Sequence, residues 1–204
     1  MRFTLISLCA AGGMLLLACG GSIAELPDGT PKPHSSLDAG AAGPEVLFTE
    51  DPATWWLTGK DPDLYSLTSV DTQVVVDGKA TTRIEQVAKH GHNDIPWAFA
   101  RPDSRSATPY RGKRMRMTAQ MKTEAATSGG GWLWLRFNDG ATGMCNMDER
   151  LVKGTNDFAP VSCVLDVPTD TEWFAFGFGL SGSGKVWLST VTFEAVGTDV
   201  PIAR

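Results

Sequence analysis

The stretch GGGWLWLRFNDG, residues 129–140, decides the reading of the fold. Three glycines lead into alternating large side chains, and an Asn-Asp-Gly cluster then signals a turn. Successive side chains of a β-strand point to opposite faces, so Trp132, Trp134 and Arg136 share one face while Leu133, Leu135 and Phe137 share the other. The leucine and phenylalanine face is a core face. The tryptophan face admits two readings: a second packed layer in which an aromatic ring fills the space between sheets, or a sugar-binding platform.

Working outward, short runs rich in Val, Thr, Phe and Trp recur along the chain and are punctuated by Gly, Pro, Asp and Asn: YSLTSV, QVVVDG, TTRIEQVA, KRMRMTAQMKTE, VSCVLDV, EWFAFGFGL and KVWLSTVTFEAV. Asp77-Gly78 between two such runs predicts a two-residue hairpin. No stretch of twelve or more residues has helical periodicity, although the segment near residue 50 has room for a short helical turn. These patterns predict an all-β, antiparallel sandwich or barrel in a single domain spanning residues 45–204. Along residues 114–122 the methionines at 115, 117 and 121 share one face. Arg114, Arg116 and Lys122 share the other, the pattern of a half-buried strand with a solvated charged face.

The chain opens MRFTLISLCAAGGMLLLACGGS, with Arg2 ahead of an apolar run that ends in small residues, the layout of an export signal. Within it, Leu16-Leu17-Ala18-Cys19 resembles the lipobox of bacterial lipoproteins. That resemblance implies cleavage after residue 18, acylation of Cys19 and stable membrane anchoring by more than one acyl chain. Gly20 follows, where an aspartate would retain the protein at the inner membrane, so the expected location is the bacterial outer membrane, on its periplasmic or surface face. Residues 19–44 are rich in Gly, Pro, Ser and Ala and read as a lipid-anchored flexible tether, about 25–30 Å in average reach.

Removal of residues 1–18 takes the formal net charge from −5 to −6. Mild acidity of this kind argues against nucleic acid as a partner recognised by bulk charge. Cys9 would leave with the signal, and Cys145 and Cys163 remain as a disulfide candidate in an oxidising compartment, the alternative being two buried free thiols.

Several chemistries are disfavoured by the residues themselves. Gly179-Leu180-Ser181-Gly182-Ser183-Gly184-Lys185 has phosphate-loop spacing, but Val186 stands where a hydroxyl should meet magnesium and a strand pattern follows, so the segment reads as a glycine-rich hairpin turn. His90, His92 and Asp94 in KHGHND offer metal-ligand types in a Gly-Asn-Asp segment that reads more simply as a solvated loop. No GxSxG elbow occurs and no carboxylate pair stands out, so the reading is of a non-catalytic protein, with a hydrolase as a minor alternative. No metal ligands or cofactor are nominated.

Four segments taken in order carry a family resemblance. They are Tyr110 to Arg116, Gly131 to Arg136, Asn146-Met147 with Arg150 and Lys153-Gly154-Thr155, and Val164 to Pro168 leading to Ala175-Phe176-Gly177 and Gly182 to Trp187. With Trp56 to Gly59 and Tyr65 as an opening, they resemble a bacterial β-sandwich domain found free-standing or attached to AraC-type and other transcriptional regulators. The resemblance implies a jelly roll similar to galactose-binding and carbohydrate-binding modules, in which structural calcium is frequent; it implies no ligand. The chain departs from the pattern at Cys145 (usually Asp), Phe158 (usually Trp), Cys163 (usually Val) and Ser189-Thr190 (usually acidic). Two cysteines at two otherwise unlike positions strengthen the case for the disulfide. The resemblance brings Asn146 and Arg150 near the strand of Trp132, Trp134 and Arg136, and these five form the candidate ligand-binding set. The expected function is binding of a glycan or another envelope component; the alternative is a structural or protein-interaction subunit of an envelope complex.

Overall fold

The computed structural model describes residues 44–138 and 143–204. The lipobox-like Cys19 and the tether lie outside the described residues. A compact unit runs from Ala41 to Arg204. Its described part contains strands and three short 3-10 turns, and all the strand pairings are antiparallel. The strands are β1 (Glu45–Glu50), β2 (Trp56–Gly59), β3 (Tyr65–Val76), β4 (Lys79–Gln86), β5 (Trp97–Arg101), β6 (Arg105–Ser106), β7 (Arg114–Phe137), β8 (Met144–Cys145), β9 (Val152–Asp166), β10 (Trp173–Ser181), β11 (Lys185–Leu188) and β12 (Val191–Val196).

The organising element is β7, 24 residues long. One of its edges pairs in succession with β10, β11 and β12, from Phe174 opposite Phe137 to Val196 opposite Arg114. The other edge pairs with β8 and then β9, from Met144 opposite Arg136 to Asp166 opposite Arg114. A three-stranded ribbon therefore runs the length of the molecule and bends where Ala125, Ser128 and Gly130 have positive φ. On one side of the bend it is widened by β5 and β2, and on the other by β4 and β3 and by β1. The bent, twisted sheet folds onto its own apolar face. The architecture is an all-β antiparallel jelly-roll sandwich.

Binary pattern explains which face closes. Leu133, Leu135 and Phe137 of one half and Met115, Met117 and Met121 of the other are buried, as are Phe174, Phe176 and Phe178 on β10. Phe48 stacks on Phe193 with ring centroids 4.3 Å apart, and Phe176 meets Phe193 edge-on at 4.7 Å, so aromatic rings fill the middle of the sandwich. Each buried phenylalanine contributes about 1.5–3 kcal/mol relative to exposure. The charged face of β7 is neutralised in pairs: Arg114 forks onto Asp166 at 2.7 and 3.0 Å and Arg116 meets Glu194 at 2.8 Å.

Asp77 and Gly78 both have positive φ and join β3 to β4 as the tight turn that the sequence predicts. Pro52–Thr54 forms the short turn near residue 50. The glycine-rich segment after Leu180 differs from expectation. It is no hairpin, because β10 and β11 continue in one direction along the same edge of β7; residues 182–184 face residues 125–129 as an irregular bend in the ribbon. Gly182 and Gly184 adopt φ of 81° and 106°, and a Cβ on Gly184 would stand 2.6 Å from the carbonyl oxygen of Glu124.

Candidate functional site

The outer face of the β2–β5–β10–β7 sheet is built in rows set by strand register. In one row Phe99 on β5 lies opposite Gly179 on β10, which lies opposite Trp132 on β7. In the next row Gly177 is opposite Trp134, and Trp56 on β2 is opposite Arg101 on β5. On β10 the inward residues are phenylalanines while the outward ones are Ala175, Gly177 and Gly179. A strand whose outward positions are glycine and alanine leaves a trough, and the side chains of β5 and β7 lean into it from both sides. Trp132 lies over Gly179, where a Cβ would stand 2.6 Å from the indole Cε2.

The result is a groove of about 430 Å³ lined by Trp97, Phe99, Trp132, Trp134, Arg136, Asn146, Asp148, Leu151 and Ser181. Phe99 is tilted 45° to Trp132 at 5.9 Å and 52° to Trp134 at 5.1 Å, and it stacks near-parallel with Trp97 at 5.9 Å. Trp132 is only 9% exposed, and its indole N–H donates to the Ser181 hydroxyl at 3.0 Å. Arg136 lies over Trp134 at 5.8 Å and over Trp173 at 5.5 Å from the ring centroids. Rings with apolar faces accept the apolar faces of sugar rings, and the amide, carboxylate, guanidinium and hydroxyl at the margin offer both donors and acceptors for sugar hydroxyls.

The amide and carboxylate of the margin come from a bulge between β8 and β9. Leu135 pairs with Cys145 and Gly131 with Val152, so residues 146–151 face only residues 132–134. Met147, with φ of 56°, turns into the core, where its sulfur accepts the Leu133 N–H at 3.2 Å. The residues on either side, Asn146 and Asp148, are left lining the groove. This arm is anchored at its root by a disulfide between Cys145 and Cys163, whose Cα atoms are 6.0 Å apart.

Of the five residues that the sequence nominates, Trp132, Trp134, Arg136 and Asn146 line one groove. Arg150 stands apart from it. Its guanidinium donates to the Arg204 carbonyl at 3.1 and 2.9 Å and to the Ser162 carbonyl at 3.0 Å, which ties the chain end to β9. The even spacing that aims Asn146 and Asp148 at the groove does not carry on to residue 150, because a turn closed by the Arg150 N–H on the Met147 carbonyl at 2.7 Å diverts the chain.

Sequence reasoning missed Trp97, Phe99, Arg101, Asp148, Leu151 and Ser181. A signal for the first three exists in Trp97-Ala98-Phe99-Ala100-Arg101, a strict alternation of large and small residues between Pro96 and Pro102. Its small residues are the fully buried ones and its large residues face outward, the reverse of the usual half-buried strand. Nearby, the Tyr65 hydroxyl lies 2.9 Å from the carbonyl oxygens of both Pro96 and Gly182, which share its one proton, and so pins β5 to the ribbon bend at the end of the groove. Burial, with Asp61 close by, pushes the phenol up to about 12.

The His90–His92 segment holds itself together: His90 Nε2 is 2.8 Å from Asp94, which also pairs with Lys60. Among the described residues no group of three His, Cys, Asp or Glu side chains gathers as metal ligands.

No family model matches the chain. The uncharacterized HTH-type transcriptional regulator YbfP of Bacillus subtilis (strain 168) is 31% identical over 150 residues, which are 72% of this chain and 49% of that protein. The chain thus spans about half the length of that curated relative. Among solved structures, the enzymatically active domain of Bacteriophage CBA120 tailspike protein 4 is similar with a TM-score of 0.50 at 16% identity, over 72% of this chain and 20% of that one. The CBM22-1 xylan-binding domain of Paenibacillus barcinonensis Xyn10C gives a TM-score of 0.47 at 10% identity, over 76% and 97%. At these identities the likeness is one of fold.

Proposed function

We propose that this protein is a non-catalytic, lipid-anchored component of the bacterial cell envelope, and that it binds a glycan in the groove between β5 and β7. The groove itself carries the reading: aromatic rings from two strands close over a glycine-lined strand, and the arm with Asn146 and Asp148 joins Arg136 and Ser181 in a polar margin. This is the composition of a small-ligand site with an apolar floor and a few fixed polar groups. Of the described residues lining it, Asp148 is the one carboxylate. Glycoside cleavage ordinarily uses a pair, which favours binding over hydrolysis. The envelope location is supported by the lipobox-like Leu16–Cys19 and by the Cys145–Cys163 disulfide, a bond kept in oxidising compartments.

The test is a titration of the protein with envelope polysaccharide fractions, following tryptophan fluorescence, beside Trp134→Ala. Trp134 is only partly buried and its ring stands at the groove wall. The expected outcome is saturable quenching by at least one fraction, weakened tenfold or more by Trp134→Ala, about 1.4 kcal/mol or more of lost stacking, with the fold retained by near-ultraviolet circular dichroism. Failure of every fraction to quench would overturn the reading in favour of a protein partner.

A further inference from the structure

Beyond the groove the same outer face carries a ladder of alternating tryptophan and arginine: Trp56, Arg101, Trp134, Arg136 and Trp173. The Arg101 guanidinium carbon is 5.6 Å from the Trp56 ring centroid and 5.8 Å from that of Trp134, and Arg136 continues the series from Trp134 to Trp173. Register builds the ladder. Arg101 and Trp134 flank Gly177, the one position between them, and a Cβ there would press within 3.3 Å of the Arg101 Cβ.

Arg101 is half-buried, yet no carboxylate among the described residues pairs with it. Its hydrogen bonds within the described residues go to neutral oxygens: Nε to the Pro102 carbonyl and Nη2 to the Ser104 hydroxyl, each at 3.0 Å. A guanidinium has five N–H donors in one plane. With Nε and one Nη2 hydrogen engaged, donors remain on the Nη1–Nη2 edge, which can receive a carboxylate through two parallel hydrogen bonds. Trp56, at 43% exposure, leaves this end of the ladder open to a large ligand.

We propose that the ligand is an acidic polysaccharide, a sugar ring resting against Trp134 and its carboxylate received by Arg101. The proposal rests on the glycan reading and names its chemical class. Asp148 belongs to the arm on the far side of β7, whereas Arg101 is on β5, about 10 Å across the sheet from β7 at two strand spacings. Asp148 therefore stands at the end of the site remote from Arg101, and an anionic sugar is oriented with its carboxylate toward β5. A chain of net charge −5 does not attract polyanions by bulk field, so the preference must come from guanidinium groups at the site itself, and Arg101 is the one on β5.

The experiment compares polygalacturonate, alginate and hyaluronan, each beside its own methyl ester, so that backbone and stereochemistry stay constant while the charge is removed. The full chain, Arg101→Gln and Arg101→Lys are titrated by tryptophan fluorescence, with near-ultraviolet circular dichroism confirming the native fold. At least one acid is expected to bind about tenfold tighter than its ester, as a charge-assisted pair would give. Arg101→Gln is expected to bring acid and ester to within about twofold, and Arg101→Lys, which keeps the charge but not the fork, to fall between. Esters binding as tightly as acids would overturn the proposal and leave the glycan reading standing. A preference that persists in natively folded Arg101→Gln would overturn the assignment to Arg101. Absence of binding to both series, with binding to neutral envelope fractions intact, would overturn the acidic class, whereas no binding to any glycan would overturn both readings.

Discussion

Gly177 and Gly179 shape the groove as much as the rings do. Both sit on the outward face of a strand whose inward face is phenylalanine, and each allows side chains from β5 and β7 to meet above it. Gly179→Ala places a methyl 2.6 Å from Trp132 Cε2 and 2.8 Å from the Ala98 carbonyl oxygen, the latter being backbone that cannot swing away. Overpacking of this kind costs about 1–3 kcal/mol. The substitution should lower the denaturant midpoint by a corresponding amount and alter Trp132 emission, because the ring must lift and its bond to Ser181 must lengthen. An unchanged midpoint and spectrum would show that Trp132 does not rest on this glycine in solution.

Among the elements, β7 and the arm beside it matter most. A strand of 24 residues exceeds the usual length severalfold. It persists because both edges are paired along most of its course and because residues with positive φ bend it from one half of the sandwich into the other. The arm at 146–151 lacks such pairing and is held by Met147 in the core and by Cys145–Cys163. Closing an 18-residue span contributes about 3 kcal/mol through the unfolded state. Cys145→Ala with Cys163→Ala should therefore lower stability by about that amount. Amide exchange should quicken across residues 146–151 more than in the strands of the sandwich core, and glycan affinity should fall with the displaced Asn146 and Asp148. Uniform acceleration of exchange would mean that the bridge steadies the whole fold and has no particular hold on the arm.

For the whole molecule the proposed anchor decides where this surface is displayed. With a lipid on Cys19, residues 20–44 would hold the sandwich clear of the bilayer and leave the groove free to meet polymer. The expected outcome for Cys19→Ser in a Gram-negative host is release from the membrane pellet into the soluble fraction, with the unsubstituted protein extracted only by detergent. Equal partition of the two forms would remove the anchor from the proposal and leave the groove chemistry untouched.

At this same scale the division between sequence and fold is plain. Period-two alternation sufficed to place Leu133, Leu135 and Phe137 in the core and Met115, Met117 and Met121 opposite them, because burial of one strand face is a local pattern. The Asp77-Gly78 turn was equally legible, since positive φ is a property of two adjacent residues. The role of Trp132 and Trp134 was not: whether an outward ring meets a second sheet or open space depends on strands distant in sequence. The groove needed register, which puts glycines 177 and 179 between β5 and β7, and it needed the bulge that aims Asn146 and Asp148 inward while sending Arg150 to the chain end. The glycine-rich segment at 179–185 looked like a reversal because glycine permits a turn without requiring one; only the shared partner strand decided that the chain runs straight on. Local conformational preference is written residue by residue, whereas a site on a sheet is a product of which strands become neighbours, and that is settled by tertiary packing.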